Sequence, residues 1–123
     1  MATILLVEDH IIIQDLIRQI LEGRGCKVIL AATAITAIAA AETHQPDAIL
    51  LDLGLPDHNG FDVIKILQLG RKTRHIPVVA MTDYGIQADR ERCLRAGFTE
   101  YLTKPVTKGE IYSALEAVTR ADK

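Results

Sequence analysis

Five short apolar runs, each followed by a stretch of helical spacing, constrain this chain more than any other feature of it. The runs are Thr3–Val7 (TILLV), Lys27–Ala31 (KVILA), Ala48–Asp52 (AILLD), Pro77–Met81 (PVVAM) and Glu100–Thr103 (EYLT). The central runs are apolar without alternation, as strands covered on both faces must be. The first intervening stretch places Ile13, Leu16, Ile17, Ile20 and Leu21 at helical spacing ahead of the stop signals Gly23 and Gly25. The Ala-rich run from Ala34 to Glu42 is a strong helix former. Three more helices are expected near Gly60–Leu69, Ile86–Ala96 and Thr107–Thr119, the last opening with Thr107 and Glu110 in capping-box spacing.

Five βα units in a row predict an α/β fold: a doubly wound, five-stranded parallel sheet with helices on both faces. The flavodoxin-like (βα)5 strand order 2-1-3-4-5 is the usual solution at this size, and residues 1–123 are expected to form one domain. A chain of 123 residues buries roughly two-thirds of its unfolded surface, enough for a core without metal or disulfide staples. With only 4% aromatic residues that core must be aliphatic. Ligands of such sheets sit beyond the carboxyl ends of the strands, at the switch point between the first and third. The chemistry is therefore expected just after Val7, at Asp52, and just after Met81 and Thr103.

The remaining composition narrows the function classes. A net charge of -2 offers neither a basic field for nucleic acid nor a polybasic membrane patch. Cys26 and Cys93 match no metal-ligand spacing and no disulfide framework, so reduced, buried thiols are expected. No leader, membrane-length apolar run, linker or internal repeat is evident, and a cytoplasmic location is the expectation.

Glu8 and Asp9 follow the first strand, and Asp52 ends the third. Strands about 4.8 Å apart would bring these acids to one pocket. Two carboxylates 4 Å apart repel by roughly 4 kcal/mol at an effective dielectric of 20, so three of them need a cation or raised pKa values. A hard divalent ion suits them, and Mg²⁺ fits a site with few protein ligands and retained waters. By themselves Glu8 and Asp9 fit a solvated loop and helix N-cap equally well. Thr82 follows the fourth run and Lys104, before Pro105, follows the fifth; singly they read as a turn hydroxyl and a surface amine. Together the residues supply a nucleophilic carboxylate, a metal clamp, a hydroxyl donor and a cation on one rim. Those are the parts that stabilise phosphoryl transfer to a carboxylate.

The segments ILLVEDH, ILLDLGLPDHNG, VVAMTDY and EYLTKP resemble the four signature segments of response-regulator receiver domains of two-component signalling. The gaps agree too: Thr82 lies 30 residues after Asp52, and Lys104 lies 22 after Thr82, similar to single-domain chemotaxis regulators. The resemblance implies that Asp52 is the phosphoacceptor. It implies that Asp9, Asp52 and the backbone carbonyl of Gly54 bind Mg²⁺ directly, with Glu8 mostly through water. Lys104 would pair with the acceptor carboxylate and then with a phosphoryl oxygen, and Thr82 would donate to another. Tyr101 matches the family's switch aromatic; the alternative is an ordinary half-buried tyrosine on an edge strand. Pro56 and Gly60 would shape the acceptor loop, and Pro105 would take the family's cis peptide. Such a domain is a signalling switch rather than an enzyme, although it catalyses its own phosphorylation and dephosphorylation. Its partners would be a histidine kinase or histidine phosphotransfer protein, and an effector on the face of the fourth helix, fifth strand and fifth helix.

Some positions depart from the commonest pattern. Asp83 stands where a small residue is usual, so it either hinders an incoming donor or points outward. Gly54 and Tyr84 occupy positions that tune the phosphorylated lifetime. Ile11-Ile12-Ile13 exceeds what one inward stripe needs. Ile13 belongs to the core stripe, while Ile11 or Ile12 either docks a histidine-bearing helix at the rim or tucks under a loop. Tyr112 either joins the output face or packs inward, and His58 reads as a loop residue. A haloacid-dehalogenase-type phosphatase would need an acid where Gly54 stands, and an FMN phosphate would be repelled by Glu8 and Asp9. A pseudo-receiver that only binds would lack the acceptor, lysine or acid pair. Arg120–Lys123 reads as a tail with no output domain. Met1 favours a stand-alone regulator over an excised domain, and both readings stay open.

Overall fold

The computed structural model describes residues 2–83 and 90–119. Its elements alternate as expected: β1 (Thr3–Val7), α1 (Ile11–Gly23), β2 (Lys27–Ala31), α2 (Ala34–His44), β3 (Ala48–Asp52), α3 (Gly60–Leu69), β4 (Val78–Thr82), α4 (Arg90–Ala96), β5 (Glu100–Thr103) and α5 (Lys108–Thr119). The strands form one parallel sheet in the order β2-β1-β3-β4-β5, the flavodoxin-like arrangement. β4 starts one residue later than expected, because Pro77 has no amide for the ladder, and it ends on Thr82 rather than Met81. The expected start of the fourth helix at Ile86 lies outside the described residues, as do Tyr84 and Arg120–Lys123.

Unbroken apolar strands are explained by two core layers. Leu5, Val7, Ile49, Leu51, Val78 and Ala80 face one layer, with α2, α3 and α4 over it. Ile4, Leu6, Leu50, Val79 and Met81 face the other, under α1 and α5. Successive side chains of a strand point to opposite faces, so a strand with helices on both sides has no wet position to fill. Each such fully buried Leu, Ile or Val is worth roughly 1.5–3 kcal/mol of transfer energy.

Local signals start and stop the helices. Thr33 caps α2 in a reciprocal box with Thr36. The Thr107–Glu110 box is present at α5, with Thr107 N donating to Glu110 Oε1 at 2.9 Å and Glu110 N to Thr107 Oγ1 at 3.1 Å. Asn59 Oδ1 accepts from the amides of Phe61 and Asp62 at the start of α3. α1 ends at Gly23, and Gly25 takes a φ of +88°, where a side chain would be strained.

The inward stripe of α1 is narrower than expected. Ile17 and Leu21 are buried and Ile13 and Ile20 pack beside them, but Leu16 is 55% exposed. Leu16 lies one turn beyond Ile12, so it follows that residue's exposed face instead of the core stripe. Cys93 is buried in the first layer, whereas Cys26 is only half-buried.

Candidate functional site

Strand register builds the site. Val7 is paired with Leu51, and Asp52 with Met81, which brings the ends of β1 and β3 level. The Glu8 amide donates to Ala31 O at 3.0 Å, so the chain keeps its strand path one residue beyond β1. Glu8 is consequently buried, 1% exposed, while Asp9 turns out to solvent. Asp52, the last residue of β3, is 2% exposed. Carboxylate oxygens of Glu8, Asp9 and Asp52 lie within 4.8 Å of one another.

Lys104 reaches this cluster from β5. Its amide donates to Thr82 O at 2.8 Å, extending the β4–β5 ladder by one residue, and its peptide bond to Pro105 is cis. The ammonium lies 2.6 Å from Glu8 Oε1, 3.3 Å from Asp52 Oδ2 and 4.0 Å from Asp83 Oδ1. The expected pairing with Asp52 is therefore the longer contact, and Glu8 is the closer partner. Glu8 Oε2 accepts from the His10 amide at 3.2 Å, and Asp52 Oδ1 from the Gly54 amide at 3.0 Å. The N-cap of α1 is His10, so the reading of Glu8 and Asp9 as a solvated cap does not hold.

Burial pushes the Glu8 carboxyl up, the Asp52 charge adds to this, and the Lys104 hydrogen bond opposes it. Burial alone would lower the Lys104 amine. The hydrogen bond to Glu8 and the charges of Asp52, Glu8 and Asp83 outweigh it, and the amine is pushed up, so it stays an ammonium. Three clustered carboxylates beside one ammonium leave an excess of two negative charges when all are ionised. An all-oxygen donor set with that excess suits a hard dication such as Mg²⁺. Glu8 Oε1 and Oε2 accept from Lys104 and His10, and Asp52 Oδ1 from Gly54, while Asp9 is the exposed acid of the three.

Thr82 is 1% exposed at the end of β4. Strand alternation puts it on the same sheet face as Ala80, whose β5 partner is Tyr101. Tyr101 is half-buried against the first core layer, and its hydroxyl accepts from Thr103 Oγ1 at 3.1 Å. Thr82 and Tyr101 thus share a sheet face. The acceptor loop folds back through a bridge between Gly54 and Asn59, and Gly60 N donates to Leu53 O at 2.8 Å. A Cβ on Gly60 would stand 2.4 Å from Leu53 Cδ2 and 2.7 Å from its Cα, which is why a glycine opens α3.

Other rim residues take definite places. Asp83 is exposed, with one carboxylate oxygen 4.0 Å from the Lys104 ammonium. Ile11 and Ile12 are 75% and 71% exposed, so neither tucks under a loop. Beside them lies an apolar hollow of about 270 Å³ lined by Ile13, Leu16, Ile17, Pro105 and Val106, with Asp83 and Lys104 bounding it. Tyr112 turns away from β5: its hydroxyl donates to Ile20 O at 2.9 Å, and the Arg24 guanidinium stacks on its ring at 4.7 Å. His58 is an exposed loop residue, as expected. Sequence reasoning missed Asp57, whose carboxylate accepts from the amides of Ala34 at 2.8 Å and Ile35 at 3.1 Å. No local signal points to a partner 23 residues away.

A doubly wound sheet of this order, with its acids and lysine at the carboxyl rim, defines a flavodoxin-like α/β protein with an acidic ligand site. Residues 4–116 match the model of the response regulator receiver domain, and the chain belongs to that family. It is 34% identical over 105 residues to the polar-differentiation response regulator DivK of Brucella ovis, covering 85% of each chain. The receiver domain of sensor histidine kinase PA1611 from Pseudomonas aeruginosa PAO1, solved with magnesium coordinated in its active-site cleft, has 36% identity and a TM-score of 0.88, over 97% of this chain and 98% of that one. A CheY-like receiver protein from Methanospirillum hungatei has 28% identity and a TM-score of 0.88, over 98% and 95%. Receiver domains are signalling modules of two-component systems that interact with histidine kinases and are not generally classical enzymes. Among the described helices none is long and apolar enough to cross a membrane.

Proposed function

We propose that this protein is a phosphorylation-dependent switch that receives a phosphoryl group on Asp52 from a histidine kinase or histidine phosphotransfer protein, with residues 1–123 acting as one domain in the cytoplasm. The observation that carries the reading is the setting of Asp52. One of its oxygens is held by the Gly54 amide, the other faces the Lys104 ammonium, and Glu8 and Asp9 complete the acidic cluster.

Asp9, Asp52 and the Gly54 carbonyl would hold Mg²⁺, with Glu8 behind water. Bound there, the ion supplies charge neutralisation for the phosphoryl oxygens. An Asp52 oxygen forms the new bond to phosphorus as the N–P bond of the donor phosphohistidine breaks. Lys104 leaves Glu8 to meet one phosphoryl oxygen, and the Thr82 hydroxyl donates to another. Each such charge-assisted bond is stronger beside the buried Asp52 than in bulk water. Tyr101, on the face it shares with Thr82, carries the change outward to α4, β5 and α5, where an effector binds. The donor docks on the rim of α1, where Ile11, Ile12 and Leu16 stand exposed next to the apolar hollow.

The pseudo-receiver reading requires a missing acceptor, lysine or acid pair; here they converge. Asp83 bears on that reading only as an exposed carboxylate 4.0 Å from the Lys104 ammonium.

Incubation with Mg²⁺ and acetyl phosphate, followed by intact mass, tests the reading. The expected result is a gain of one phosphoryl group that Asp52→Asn abolishes. A folded native protein that gains nothing from small donors or candidate kinases would establish the pseudo-receiver instead.

A further inference from the structure

The β3–α3 loop makes a long-range connection that the chemistry above does not use. We propose that Asp57 is a positioning residue for the metal site, clamping the acceptor loop onto the N-terminus of α2 and so fixing the Gly54 peptide. The inference rests on the proposed Mg²⁺ site.

Asp57 lies five residues beyond Asp52, at the outer end of the loop. Its two oxygens take the amides of Ala34 and Ile35, the first two residues of α2. That helix already has its own cap, since Thr33 Oγ1 takes the Thr36 amide at 3.1 Å. Asp57 takes two further amides of the first turn, one of them on the buried Ala34, and in doing so gives the loop a fixed point. The bonds are charge-assisted and lie at the positive end of the helix dipole, so they hold better than neutral ones. They also hold the Asp57 carboxyl below its ordinary range.

The other end of the loop is equally fixed. Leu53 N donates to Met81 O at 2.9 Å, Gly60 N to Leu53 O, and Gly54 bridges to Asn59. The Gly54 peptide is one side of that bridge, and the Asp57 clamp holds the turn of loop between its two sides. The Gly54 amide aims Asp52 Oδ1, and the Gly54 carbonyl is the proposed third protein ligand. Releasing the clamp loosens the turn that the bridge closes, and with it the hold on both. Linkage runs both ways: if the clamp favours the ion, the ion must tighten the clamp by the same factor.

The test is a Mg²⁺ titration of the native chain, Asp57→Ala and Asp57→Asn, followed by ¹H–¹⁵N amide shifts, with thermal unfolding as the control for folding. Asp57→Ala should raise the Mg²⁺ Kd about 3- to 10-fold, below the usual cost of losing a direct outer-shell partner because it acts through the loop. Asp57→Asn, which keeps one acceptor oxygen, should fall between. In the native protein saturating Mg²⁺ should slow hydrogen exchange at Ala34 and Ile35, a reading that needs no variant. Native binding that Asp57→Ala leaves at the same Kd, or exchange at both amides that Mg²⁺ leaves unchanged, overturns the role of Asp57 alone. A native protein that binds no Mg²⁺ overturns this role and the metal site together.

Discussion

The Lys104 ammonium is shared unequally between two buried carboxylates, 2.6 Å from Glu8 and 3.3 Å from Asp52. Glu8 therefore acts as the resting partner of the lysine, and Asp52 keeps an oxygen less tightly engaged. This asymmetry fits the proposed role of Asp52, whose oxygen must be free enough to attack an incoming phosphorus while its cation stays close at hand.

Removing that cation leaves Glu8 buried without its partner. Lys104→Met should lower stability by roughly 3 kcal/mol at neutral pH without metal, the low end of the cost of breaking a buried pair. Adding Glu8→Gln should recover part of the loss, because Glu8 is then no longer stranded while Asp52 still lacks the ammonium. Urea unfolding of both single variants and the double variant reads the coupling.

Excess negative charge in the pocket should make the native protein respond to Mg²⁺. At ten times its Kd the ion should stabilise the fold by about 1.4 kcal/mol through binding the native state alone. Chelation should reverse the gain. Asp52→Asn should show a smaller gain and, without metal, should be more stable than native, because a repelling charge is gone. Thermal unfolding with and without Mg²⁺ measures both.

Gly60→Ala tests the tight join between the acceptor loop and α3. Alanine is the better helix former, yet its Cβ would meet Leu53 Cα at 2.7 Å, a backbone atom that cannot step aside. Overpacking should win, lowering stability by about 1–3 kcal/mol. A gain in the urea midpoint would contradict the close approach.

Two exposed carboxylates give the protein part of its acid sensitivity. The backbone hydrogen bonds of Ala34 and Ile35 hold Asp57 below 3.8, and those of Thr107 hold Glu110 below 4.5. A group lowered on folding contributes fully above its unfolded value and loses that contribution as pH falls through the folded one. Stability from both should persist down to those ordinary values and fade below them. Glu110→Gln keeps an acceptor for the Thr107 amide but not the titration, so its urea midpoint should fall less steeply below pH 4.5.

Ile12→Asp separates docking from chemistry. The side chain is 71% exposed, so stability should change by no more than about 0.5 kcal/mol. Phosphorylation by acetyl phosphate should be unaffected, while transfer from a cognate histidine donor should slow. Equal rates from both donors would remove α1 from the docking surface.

The sheet was legible in the sequence because buried parallel strands leave unbroken apolar runs, and β1 and β3 fall where those runs lie. The rim residues were legible for the same reason, since strand ends are where the runs stop. Partner choice was not. The preference of Lys104 for Glu8 depends on a side-chain path of a few ångströms that no spacing encodes. The place of Leu16 required the tilt of α1 on the sheet, which a helical repeat does not contain. Asp57 and Tyr112 were undecidable locally, because Ala34 lies 23 residues from the first and Ile20 lies 92 from the second.

The hydrogen bond from Lys104 N to Thr82 O, 2.8 Å long, ties a cation and a hydroxyl donor at their backbones. The bond couples the two main chains, so a displacement at the end of β4 carries with it the backbone from which Lys104 reaches Glu8 and Asp52. Above that shared base the lysine keeps the freedom of its flexible stem, so the two residues are joined at the root and separate at the tip.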